Sequence, residues 1–133
     1  MKSKCEFSDQ RSLLLLKNFR ESIARQSVIS AKRAFQEAAD APAPRFWVSE
    51  ARATRIIAML LKGEDPTEGM IPSKREMYME ILNRVKILKE KNPSTPLGDI
   101  VFTVVNSPAP QSYMAWQYAK KIINKARANN HKN

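Results

Sequence analysis

Only three glycines occur in the 133 residues. That scarcity argues against a turn-rich sheet protein, whose tight hairpins draw on glycine's access to positive φ. A single cysteine, Cys5, cannot close a disulfide within the chain. With one histidine, His131, there is no cluster of thiols and imidazoles to complete a zinc site. This usage predicts a reducing, cytoplasmic setting. The leucine run at residues 13–16 stops at Lys17, too short for the apolar core of a signal peptide and far too short to span a bilayer, so no membrane partner is expected. Glycine-rich phosphate loops and metal-ligand spacings are missing too, and the acids are scattered along amphipathic stretches. No nucleophile, base and orienting acid can be assembled, so the expectation is a non-enzymatic protein without a cofactor.

What the chain does have is positive charge. Its formal net charge is +10, and 43% of its residues are hydrophobic, an ordinary globular composition at a length that suits one domain or two very small ones. Residues 1–66 carry twelve basic and eight acidic side chains, and residues 67–133 carry eleven and five. No acid follows Asp99, whereas Lys120, Lys121, Lys125, Arg127 and Lys132 do. A basic surface of this kind suits a polyanion.

The second positive feature is self-similarity at an offset of 66 residues. Pro42, Ala43, Pro44, Ala53, Ile56 and Ile57 recur as Pro108, Ala109, Pro110, Ala119, Ile122 and Ile123, while Trp47 stands opposite Tyr113 and Arg55 opposite Lys121. The pattern predicts an all-α fold of six main helices, a tandem duplication of one three-helix unit (helix, helix, Pro-Ala-Pro turn, helix). The units are read as residues 1–66, including the start of a linker, and residues 67–133, with a basic tail that frays.

The helices follow from apolar periodicity. Leu15, Leu16, Phe19 and Ile23 form one stripe over residues 9–25. Its counterpart begins at Ser73, where Ser73 and Glu76 have the spacing of a capping box. Residues 100–105, Ile-Val-Phe-Thr-Val-Val, would pass as a strand on composition. Their counterpart at residues 34–39 is helical by propensity, and the apolar set 97, 100, 101, 104, 105 keeps helical spacing, so a helix is predicted, with Thr95 as cap and Pro96 at its first position. Proline then ends each second helix and delivers Trp47 or Tyr113 into the core. The third helix starts near Ser49, a good cap, and stops at Gly63. Residues 34, 35, 38, 39, 53, 56 and 57 should be buried, and so should 100, 101, 104, 105, 119, 122 and 123.

On each third helix the face opposite the apolar stripe is basic or amide. Arg45, Arg52, Arg55 and Lys62 mark the first copy, and Gln117, Lys120, Lys121, Asn124, Lys125 and Arg127 the second. Arg and Lys suit phosphates and guanine edges, and Asn or Gln suit adenine edges. Three helices ending in such a face outline a helix-turn-helix-like unit, although the connection at residues 40–48 is longer than a standard turn. The expected partner is nucleic acid, duplex DNA, with phosphate contacts from the third helix of each unit. The competing reading is a non-enzymatic helical scaffold for a protein partner, with Met59, Met70, Met77 and Met79 as adaptable contacts.

Overall fold

The structure, a computed structural model, describes residues 7–131, with side chains to residue 129. Cys5 and Lys132 lie outside the described residues, as does the side chain of His131. Six helices and no strand are present among the described residues: α1 (Ser8–Arg25), α2 (Ala31–Asp40), α3 (Glu50–Leu61), α4 (Pro72–Lys91), α5 (Leu97–Val105) and α6 (Trp116–His131). The β-branched stretch is therefore helical. The last helix, α6, extends to His131.

The chain forms two compact units, residues 1–43 with 110–133, and residues 44–109. In unit 1, α6 packs against both α1 and α2. Its core joins Leu15, Leu16 and Phe19 of α1, Ala34, Phe35, Ala38 and Ala39 of α2, and Ala119 and Ile123 of α6. Small alanines on α2 let the neighbouring helices approach, and the Phe19 and Phe35 rings stack at 4.8 Å in the space between α1 and α2. Ile122 was expected inside. It is only partly buried, packed at the margin of this core.

In unit 2, α3, α4 and α5 pack on one another. Ala53, Ile56 and Ile57 of α3 are buried, as are Met77, Tyr78, Ile81 and Val85 of α4 and Ile100, Val101, Val104 and Val105 of α5. Met77 is thus core, and Met59, Met70 and Met79 are all part-buried. The stretch between α3 and α4 is tied down: Thr67 is fully buried, its backbone N–H and hydroxyl both donate to Asp65, and Arg75 donates to both residues.

Residues 1–66 and 67–133 are each distributed over both units, because α3 packs with α4 and α5 while α6 packs with α1 and α2. The local cause is the proline segment. Ala41 is extended (φ −72°, ψ 150°), as a residue before proline must be, so the chain leaves the hairpin it has just completed. Backbone hydrogen bonds fasten each exit. The Ser112 N–H donates to the Ala39 carbonyl at 3.0 Å in unit 1, and the Phe46 N–H donates to the Val105 carbonyl at 2.9 Å in unit 2. Trp47 and Tyr113 are buried, at 8% and 9% exposure.

The helix ends show which local signals operate. Ser49 caps α3 through its hydroxyl and the Arg52 N–H, and Ser30 caps α2 in the same way. Gly63, at φ 93°, closes α3 in a Schellman motif, with the Gly63 N–H on the Leu60 carbonyl and the Glu64 N–H on the Met59 carbonyl. The two other caps read from the sequence are corrected. Pro72 takes the first position of α4, so the N-cap falls on Ile71, and Ser73 sits inside the helix without a capping bond. Likewise Pro96 is the N-cap of α5, and Thr95 lies one residue too early to cap it.

Candidate nucleic-acid interface

Sorting the charges by compact unit changes their distribution. Unit 1 contains thirteen basic and five acidic residues, a net of +8, whereas unit 2 contains ten and eight, a net of +2. The acid-free stretch 110–133, with five basic residues, joins residues 1–43, with eight basic and five acidic, because α6 packs on α1 and α2.

Within unit 1, α6 carries the exposed set. Gln117, Lys120, Lys121, Asn124 and Lys125 are all exposed, and their i, i+3, i+4, i+7, i+8 spacing places them on one side of the helix. Arg127 is exposed as well, but its guanidinium lies 5.3 Å over the Phe19 ring and 3.4 Å from the Asn124 side-chain oxygen. The four candidates of the first copy fall in unit 2 and differ among themselves. Arg45 donates to the carbonyls of Phe46 (2.9 Å) and Val48 (2.6 Å), and Arg52 donates to the Tyr78 hydroxyl at 3.1 Å. Arg45 is part-buried, while Arg52, Arg55 and Lys62 are all exposed.

Two further cations of unit 1 are engaged. Glu37 accepts from the Ser22 hydroxyl at 2.6 Å, from Arg33 at 2.8 Å and from Arg25 at 3.3 Å. Ser22 is fully buried and accepts in turn from Gln26. The Ser22 hydrogen bond, then the Arg33 bond, holds the Glu37 carboxyl at about 2, below its ordinary 4.5. This network clasps α1 to α2, while Lys120, Lys121 and Lys125 of α6 are exposed, as is Arg20 of α1.

Beside those lysines, a groove of about 540 Å³ runs between the start of α1 and α6, its walls including Leu13, Tyr118, Lys121, Ile122 and Lys125. Arg11 also lines it, with its guanidinium 5.6 Å over the Phe7 ring and 5.7 Å over the Tyr118 ring. Its buried Nε has no hydrogen-bond partner. Reading the sequence for basic faces missed Arg11, which stands off the apolar stripe of α1. Phe7, four residues earlier, was the available signal for a guanidinium held on a ring.

Among the described residues no group of three or more His, Cys, Asp or Glu is placed to hold a metal ion, and no helix is long and apolar enough to cross a membrane. Comparison with known proteins finds no match to the chain among family models, curated proteins or solved structures.

Proposed function

We propose that the protein is a small, basic, non-enzymatic nucleic-acid-binding protein, with the exposed face of α6 in unit 1 as its principal phosphate-contacting surface. The observation that carries this reading is the concentration of charge, +8 of the +10, on unit 1. Lys120, Lys121 and Lys125 supply point charges suited to a sugar-phosphate chain, and Gln117 and Asn124 lie among them as neutral donors. Arg55 and Lys62 of unit 2 are a lesser contribution. Arg45 and Arg52, which also make hydrogen bonds within unit 2, are placed with this lesser set.

The reading includes an internal duplication in which the two copies have exchanged third helices. Its support is the ungapped recurrence at 66 residues, and the fact that Ser112 and Ala39 stand 66 residues from Phe46 and Val105, the residues of the corresponding exit bond. In this reading α2 and α3 belong to different units, as do α5 and α6.

The test is binding of random duplex and single-stranded oligonucleotides across a salt series. Each phosphate contact contributes about 0.9 to the slope of log affinity against log salt. Replacing Lys120, Lys121 and Lys125 together by Ala should flatten that slope by roughly two to three. A wild-type protein with no salt-sensitive binding near about 50 mM salt would defeat the proposal. A second reading, a scaffold for a protein partner, is favoured by Val28 and Ile29, which are 87% and 64% exposed side by side in the connection between α1 and α2. Under that reading, Val28→Ser with Ile29→Ser abolishes partner binding, and the triple lysine variant leaves it intact.

A further inference from the structure

The groove between α1 and α6 combines features that a duplex-binding surface does not need. A double helix offers the protein a charged backbone, and a row of exposed lysines is enough to meet it. This groove is instead lined by Tyr118, Leu13 and Ile122, with Lys121 and Lys125 beside them. Tyr118 is 49% exposed and Leu13 63% exposed, although both stand beside a recess large enough for a small organic group. The Tyr118 ring is also held in place. Arg11 lies against one face of it at 5.7 Å and against Phe7, itself buried, at 5.6 Å. A half-exposed aromatic ring backed by a cation and flanked by lysines is an arrangement that suits a flat, apolar, anion-bearing group. One carboxylate, Asp9, also lines the groove, against the three cations Arg11, Lys121 and Lys125.

We infer that the groove holds an unpaired nucleotide of a single-stranded nucleic acid, with the base stacked on Tyr118 against Leu13 and Ile122 and the adjoining phosphates on Lys121 and Lys125. Arg11 is a positioning residue that fixes the ring. A bare phosphate would make no use of the apolar wall, and a paired base could not reach it. The inference rests on the nucleic-acid reading and narrows it to a strand with accessible bases.

The experiment measures anisotropy of labelled oligodeoxythymidine, the same strand with abasic sites, and a matched duplex, near about 50 mM salt. The normal strand should bind more tightly than the abasic one. Tyr118→Ala should weaken binding of the normal strand by about tenfold to a hundredfold while leaving the abasic strand and the duplex unchanged, and Tyr118→Phe should retain wild-type affinity. Leu13→Glu, at a position too exposed to threaten the fold, should also weaken the normal strand and gives the test a second arm if Tyr118→Ala folds poorly by circular dichroism. Equal affinity for normal and abasic strands, or wild-type binding by both Tyr118→Ala and Leu13→Glu, overturns the groove assignment and leaves the salt-sensitive phosphate surface standing. Binding of vesicles containing phosphatidylserine with no binding of any oligonucleotide overturns both.

Discussion

Glu37 shows how one carboxylate can organise a helical hairpin. It collects Ser22 and Arg25 of α1 and Arg33 of its own helix, so a proton on it loosens three contacts together. Because its folded-state pKa is depressed to about 2 from 4.5, the stabilisation is present above pH 4.5 and is lost as pH falls toward 2. Thermal melts from pH 6 to pH 2 should show a drop in Tm that Glu37→Gln reduces, since the glutamine has no charge to lose. Trp47 acts by volume rather than charge. At 8% exposure it fills space that no neighbour can occupy, and Trp47→Ala should cost about 3–5 kcal/mol in urea denaturation. Tyr113 is buried as well, but it sits at φ 54°, the one non-glycine residue with positive φ among those described. That backbone geometry costs an L-residue about 1–2 kcal/mol, which the burial of its ring has to offset.

At the scale of elements, the two glycines flanking regular helix give opposite predictions for one substitution. Gly63 has open space around its Cα but φ 93°, whereas Gly98 has open space and lies in the first turns of α5. Gly63→Ala should therefore destabilise by about 1 kcal/mol through backbone strain, and Gly98→Ala should stabilise by up to about 1 kcal/mol through helix propensity. Paired urea titrations check both signs. The helices themselves were legible in the sequence wherever the apolar spacing was long enough to outvote local preference. Residues 100–105 are the clearest case, because Ile100, Val101, Val104 and Val105 mark one helical face in spite of their β-branched side chains. The caps at Ser73 and Thr95 were misread because a neighbouring proline, Pro72 or Pro96, sets where the helix begins. Which hairpin each third helix covers was not legible at all. Ala53, Ile56 and Ile57 match Ala119, Ile122 and Ile123, so either stripe would satisfy either hairpin by pattern. The chain leaves α2 through Ala41, extended before Pro42, and leaves α5 through Asn106, which is not extended. For the candidate site, the α6 lysines were visible as a basic face, but the groove beside them was not, since it depends on Leu13 and Tyr118 meeting across helices more than a hundred residues apart.

For the whole molecule, unit 2 is a continuous stretch, residues 44–109, and unit 1 is assembled from both ends of the chain. A chain ending at residue 109 should retain hydrogen-exchange protection in α3, α4 and α5. It should lose protection in α1 and α2, whose core lacks Ala119 and Ile123 without α6. The same asymmetry sets an order of events on the ribosome. Unit 2 is complete once residue 109 has emerged, but the leucines and phenylalanines of α1 and α2, made first, must wait for the last helix to be translated. Throughout that interval the apolar surface of α1 and α2 is uncovered in the cell, so a nascent chain stalled before α6 is the form that chaperones should hold and proteases should remove.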